Sequence, residues 1–151
     1  MKILSDRQIV EALKSGMLKI SPFAVGRLKP AEYDFSSSSK FALDPKEWKL
    51  ISTLETVELS SSLVATIHLK SSFAREGILG SFAIIDPGFR GQLTLSLFNA
   101  GSNVVKVDKN EPIVQVVFHL METQPTTTYH GKYQDSLGVV ESKRNQSRQI
   151  W

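Results

Sequence analysis

The apolar positions of this chain recur at two periods. Near the N-terminus they follow the helical one, through Ile9, Val10, Leu13 and Met17. Ser5 and Gln8 frame the start as a capping box, each able to satisfy a free amide of the other, and Gly16 supplies a stop. This spacing predicts one short helix, about Asp6 to Ser15. From Leu50 onward the pattern alternates. Leu63, Ala65, Ile67 and Leu69 share one face, with Val64, Thr66, His68 and Lys70 on the other. Leu93, Leu95 and Leu97 face away from Gln92, Thr94, Ser96 and Phe98 in the same manner. Ile113 to Leu120 is a β-branched run broken by Gln115 and His119, and Ala31 to Phe35 reads as a strand with Asp34 set among apolar residues.

Turn signals separate these runs. Asp44-Pro45, Asn99 to Asn103 and Asp108 to Asn110 are three of them. Asp86-Pro87-Gly88 suits a type II turn, because Pro presets the second position and Gly takes the positive φ of the third. Ile78 to Phe82 reads as a tight hairpin whose two strands meet at a Gly80-Ser81 turn. The segment Phe23 to Pro30 reads as loop, and Ser36 to Ser39 as a turn or short polar strand. Many short strands with one small helix predict an all-β sandwich, barrel or jelly roll. Beyond Met121 the periodicity stops. The expected organisation is one β-domain over residues 1–123 and an extended C-terminal arm over 124–151, long enough to reach past its own domain.

Composition adds boundaries rather than detail. A chain of 151 residues with 41% hydrophobic content can bury one real core. No apolar run approaches the roughly 20 residues of a membrane span, and the first residues hold no signal-peptide h-region. The absence of Cys excludes disulfides and thiolate metal sites, and fits a reducing cytoplasm. A net charge of +3 is too small to argue for nucleic acid. Lys143 to Arg148 is basic without aromatic interleaving and reads as a solvated tail.

The candidate chemistry gathers between Lys70 and Phe89. Lys70, Ser71, Ser72 and Arg75 offer two cations and two hydroxyls, a set suited to phosphate oxygens. Asp86 places a carboxylate on the tight turn, and the predicted hairpin would bring it near the cations. Other readings stay open at this level. Asp34 is either a structural carboxylate or a group near a metal. Gln115 is either a strut between subunits or a ligand contact.

Six stretches then occur in a telling order: MKILSDRQIVEALKSGMLKISPF, AEYDF, KSSFAREG, IIDPGFRGQLTLSLFN, PIVQVVF and HGKYQDSLGVVESK. Together they resemble the superfamily of dUTP diphosphatases (dUTPases) and dCTP deaminases. The resemblance implies a distorted jelly roll of the β-clip type, assembled as a homotrimer with active sites shared between subunits. It implies that Lys70, Ser71, Ser72, Arg75 and Gln115 hold phosphates and that Asp86 activates water. Phe82, Ile85 and Phe89 would meet sugar and base, with Phe89 excluding a 2′-hydroxyl. Lys132, Tyr133 and Gln134 of the arm would close over the nucleotide. Magnesium would arrive with the triphosphate, with Asp34 at most an indirect contact.

Ser96 stands where the deaminases place a glutamate for proton transfer, which resembles the dUTPases; serine cannot shuttle protons near neutral pH. Lys70 stands where Arg is usual, the hairpin is shorter than in dUTPases, and Ser136 replaces a common Gln. These features order the functional readings: dUTP hydrolysis to dUMP and pyrophosphate first, then dCTP deamination, then nucleotide binding without turnover. No membrane partner is expected.

Overall fold

The computed structural model describes residues 2–146; the end of the basic tail from Ser147 onward lies outside the described residues. Strand β1 (Lys2–Ile3) leads into helix α1 (Asp6–Ser15). The capping box forms as the sequence predicts: Ser5 Oγ accepts the Gln8 amide and the Gln8 side chain accepts the Ser5 amide. Gly16 ends the helix in the left-handed conformation at φ 75°. Ile9 and Ala12 are its buried residues, on the face that meets the next strand, β2 (Leu18–Ser21). Full burial of a side chain such as Ile9 or Leu18 contributes about 1.5–3 kcal/mol.

The rest is a sandwich. After a turn of 3-10 helix at Val25–Arg27 come β3 (Leu28–Lys29), β4 (Glu32–Ser36), β5 (Phe41–Leu43), β6 (Trp48–Leu59) and β7 (Leu63–Leu69). Helix α2 (Ser71–Arg75) precedes β8 (Ile78–Ser81), β9 (Arg90–Asn99), β10 (Val105–Val107) and β11 (Pro112–Leu120). In the first sheet β11 is central, with β7 along one edge and β1 and β4 sharing the other, β4 in turn pairing β3. The second sheet runs β2-β6-β9-β8, and β10 pairs β5 separately. Leu63 and Ala65 of the first sheet and Leu93, Leu95 and Leu97 of the second are buried in the common core, as their alternation requires. The jelly-roll expectation stands in architecture. Among the described residues no helix is long and apolar enough to cross a membrane.

One expectation is corrected. Residues 78–82 are not a hairpin. Ile78 to Ser81 form one strand in register with β9, Ile78 opposite Asn99 and Ser81 opposite Ser96. A neighbouring strand satisfies this backbone, so no local turn forms. Phosphate candidates Ser71, Ser72 and Arg75 lie on the short helix α2.

One irregularity shapes the second sheet. Between Ser52 and Thr56, β6 sets three residues against the single Leu93 of β9. The Thr53 hydroxyl accepts the Leu93 amide at 3.0 Å and donates to the Glu55 carbonyl at 2.9 Å, replacing the lost ladder bond. Glu55 is turned inward and buried, its Oε2 accepting the Ser36 amide at 2.8 Å. Burial pushes its carboxyl above the ordinary value.

Candidate active site

The cavity lies where the chain changes sheets. Ser81 is still paired in the second sheet; Ile85 exchanges two backbone bonds with Ala65 of the first, at 2.9 and 3.0 Å. The turn Asp86 to Phe89 then returns to β6, with Gly88 donating to Leu59 and Leu59 donating to Phe89. Residues 82–89 thus fence the gap between two sheet edges. The turn closes through the Phe89 amide on the Asp86 carbonyl at 3.1 Å, and Gly88 sits at φ 85°, the type II geometry read from Asp-Pro-Gly.

Behind this fence is a cavity of about 320 Å³. Phe82, Ile85, Asp86 and Phe89 line it, as the sequence reading grouped them, together with Gln92 and Thr94 of β9 and Ile67 of β7. Asp86 is exposed and is the one carboxylate among the described residues lining this cavity. Phe89 is buried, and its ring meets Tyr129 edge-on at 5.6 Å between centroids.

The arm completes the wall. Tyr129 donates its amide to the Pro87 carbonyl at 2.8 Å, and Ser136 pairs with Gly91 in a parallel bridge. Gly91 has φ 150°, and a Cβ there would meet the Ser136 backbone at 2.9 Å; only glycine admits the arm this closely. Gly138 donates to Gln92 Oε1 at 2.6 Å and Val140 to Thr94 Oγ1 at 3.0 Å. In this single chain the described part of the arm lies on its own domain.

Its three candidate residues divide. Tyr133 lines the cavity. Gln134 does not: its Oε1 accepts the Arg90 amide at 2.8 Å and its Nε2 donates to the Gly88 carbonyl at 2.9 Å, so it is a latch. Asp135 adds an ion pair to Arg90 at 2.5 Å, which holds its carboxyl below the ordinary range. Lys132 donates to the carbonyls of Lys143 and Gln146, while Lys143 Nζ donates back to the Lys132 carbonyl at 2.8 Å. Tyr129, Ser136, Gln92 and Thr94 are wall residues that sequence reasoning missed. Tyr129, one of two tyrosines in a polar tail, was the one available hint.

The phosphate candidates lie elsewhere. Lys70, Ser71, Ser72, Arg75 and Gln115 are absent from the cavity wall. Lys70 Nζ donates to Asp34 Oδ2 at 2.8 Å, and the Asp34 side chain is 3% exposed. Asp34 is thus a buried carboxylate paired through Oδ2, while its Oδ1 is buried without a hydrogen-bond partner. Gln115 donates through Nε2 to Glu32 Oε1. The hairpin expected to join the cations to Asp86 is absent, and the cations do not line the cavity that Asp86 lines.

Ser96 faces outward on β9, and its hydroxyl accepts the Trp48 indole N–H at 2.8 Å. Among the described residues no three Asp, Glu or His side chains converge to hold a metal ion.

Fold and cavity together describe a jelly roll with a cavity where the chain passes between its two sheets. The family model described as dCTP deaminase-like matches residues 35–121. A dCTP deaminase of Pyrococcus horikoshii is 41% identical over 140 residues, covering 83% of this chain and 90% of that protein. A protein of Sulfolobus islandicus rod-shaped virus 1, named "Probable deoxyuridine 5'-triphosphate nucleotidohydrolase", is 32% identical over 159 residues, covering 95% and 99%. Among solved structures, a Staphylococcus bacteriophage 80alpha dUTPase mutant with dUpNHpp superposes with TM-score 0.59 at 17% identity, over 76% of this chain and 97% of that one. The chain belongs to the dCTP deaminase-like family, within the superfamily of dUTPases and dCTP deaminases.

Proposed function

We propose that this chain hydrolyses dUTP to dUMP and pyrophosphate. The observation that carries the reading is a cavity whose one carboxylate among the described residues is Asp86, while Ser96 of β9 lies outside that cavity, engaged by Trp48. Deamination needs a proton-shuttling group at the pyrimidine ring, and a serine holding an indole N–H is not one. Hydrolysis needs a base for water, and an exposed carboxylate fixed on a type II turn suits that task.

In this reading the nucleoside enters the cavity with its sugar against Phe89. Asp86 takes a proton from a water whose oxygen attacks the α-phosphorus. The bond from that phosphorus to the bridging oxygen breaks, and pyrophosphate leaves opposite the water. Magnesium, when bound to the triphosphate, would neutralise its charge. Lys70, Ser71, Ser72, Arg75 and Gln115 would reach the phosphates from a second copy, because their own cavity does not contain them. A homotrimer with sites at its interfaces meets this need.

Pyrophosphate release from dUTP with Mg²⁺ tests the proposal. Release above a blank that falls about 10²–10⁴-fold in Asp86→Asn supports it; equal release from both proteins overturns it. The 41% identity to a dCTP deaminase favours a second reading, deamination, which ammonia release from dCTP would reveal. Nucleotide binding with neither product would leave a binding protein of the same family.

A further inference from the structure

The outward face of the first sheet carries a group of side chains that the cavity does not use. On β7, Thr66 and His68 alternate with Ala65, which is buried in the core; on β11, His119 alternates with the buried Phe118. The strands are paired, Thr66 opposite Val117 and His119 opposite Val64. His119 therefore lies one diagonal step from Thr66 across the pair, and His68 lies two residues along the same strand. This register brings both imidazoles onto one hydroxyl. Thr66 Oγ1 is 3.0 Å from His68 Nε2 and 3.2 Å from His119 Nε2.

The hydrogens of this trio are not locked. A hydroxyl has one hydrogen, so Thr66 can donate to one ring only. His119 Nδ1 is buried with no hydrogen-bond partner, so no group on that side holds the ring in one tautomer. With its hydrogen on Nδ1, the ring turns a bare Nε2 lone pair toward Thr66. Burial first, and then the nearby His68, hold the His119 pKa below the ordinary 6.5, which keeps the ring neutral near pH 7. The neutral imidazole is the form that binds metal ions.

The spacing suits that chemistry. Two donors on one tetrahedral zinc ion, each at about 2.0–2.1 Å, stand about 3.3–3.4 Å apart. The two separations at Thr66 Oγ1 fall just inside this spacing, so a small movement of the rings would admit an ion. His68 is exposed, Thr66 half-buried and His119 buried, which leaves one open side for entry and for water ligands. Lys70, which follows β7, does not oppose a dication, because its Nζ is engaged by Asp34 Oδ2 at 2.8 Å.

We propose that His68, His119 and Thr66 form a surface site for Zn²⁺ that clips β7 to β11. The two Nε2 atoms are the principal ligands, the Thr66 hydroxyl is a third donor, and water completes the shell. Imidazole selects zinc and its neighbours over Mg²⁺, which demands oxygen ligands. None of the three residues lines the cavity that holds Asp86, so the site stands apart from the hydrolase reading.

The test is calorimetric titration of Zn²⁺ into the chelator-washed full chain. Wild type is expected to bind one ion per chain with a micromolar Kd and to show no heat with Mg²⁺ at the same concentration. Losing a mere outer-shell partner costs a metal site about 10–100-fold. His68→Ala, which deletes a direct ligand at an exposed position, should therefore weaken Zn²⁺ by at least about tenfold. His119→Gln should lose as much, with circular dichroism checking its fold; if that buried change unfolds the chain, His68→Ala carries the test. His130→Ala alters the remaining histidine of the chain and should bind Zn²⁺ as wild type does. Zn²⁺ should also raise the thermal midpoint of wild type and leave that of His68→Ala unmoved. A folded wild type that binds no Zn²⁺ overturns the proposal. So does equal affinity in wild type and His68→Ala, or a loss in His130→Ala as large as that in His68→Ala.

Discussion

The Trp48 indole donates to the Ser96 hydroxyl at 2.8 Å, across the pair of strands that forms the middle of the second sheet. Ser96 is therefore an acceptor already engaged by a neighbouring strand. Its replacement by alanine removes one partly exposed hydrogen bond and should cost about 0.5–1.5 kcal/mol in urea unfolding. Pyrophosphate release from dUTP should stay within about threefold of wild type, since a group acting only on the sheet contributes nothing to the barrier. A loss of turnover of a hundredfold in a folded Ser96→Ala protein would assign Ser96 to the reaction instead.

Lys70 and Asp34 form the least exposed ion pair among the described residues, with side chains 25% and 3% exposed. Lys70→Ala strands a buried carboxylate and is expected to destabilise the fold by about 3 kcal/mol. Lys70→Met combined with Asp34→Leu removes both charges and should recover most of that loss. Thermal or urea unfolding of the three proteins checks it; a double variant no more stable than the single one would show that the pair is not the cause.

Glu55 makes stability depend on pH with a definite sign. Burial raises its folded pKa above the ordinary 4.5. Its stabilising contribution is full below that unfolded value and is lost as pH rises through the raised folded value. Glu55→Gln keeps an oxygen for the Ser36 amide without a charge to desolvate. The variant should gain on wild type steadily from pH 4.5 upward and hold a constant lead once Glu55 has ionised. Urea midpoints measured from pH 4.5 to 8 that run parallel for the two proteins would contradict this.

On the proposed shared-site reading, mixing two variants would separate the two origins of the site. Asp86 and the arm lie on one subunit, whereas Arg75 is absent from that subunit's cavity. Asp86→Asn mixed with Arg75→Ala should regain part of the wild-type activity after verified exchange, because some sites then pair an intact Asp86 with an intact Arg75. Asp86→Asn mixed with a protein truncated at Tyr129 should regain none. The reverse outcome would mean that the arm crosses between subunits in solution, and a monomer by light scattering would remove the shared site altogether.

What the sequence revealed depended on how local its cause was. The Ser5–Gln8 box, the Gly16 stop and the Asp86-Pro87-Gly88 turn are settled within a few residues, and each is where the pattern puts it. Gly80-Ser81 carried the same kind of local signal and failed, because Ser96 and Leu97, some 16 residues later, claim its backbone. The Lys70–Asp34 pair joins residues 36 apart. It exists because Gln115 of β11 is flanked by Asp34 on one side and His68 on the other. The seat of the arm was illegible for a related reason: it depends on the missing side chain at Gly91 and on where Gln92 and Thr94 point.

The bonds that hold the arm run to the turn, to the start of β9 and to the side chains of Gln92 and Thr94, and none belongs to a β-ladder that closes the sandwich. Lifting the arm therefore breaks a short zipper and leaves both sheets zipped. On the proposed hydrolase reading, the time a product molecule spends bound would then depend on this zipper. Substitutions at Gln134, Asp135 or Ser136 can lengthen or shorten that dwell without drawing on the stability of the fold, which leaves the pace of the molecule free to change while its architecture stays fixed.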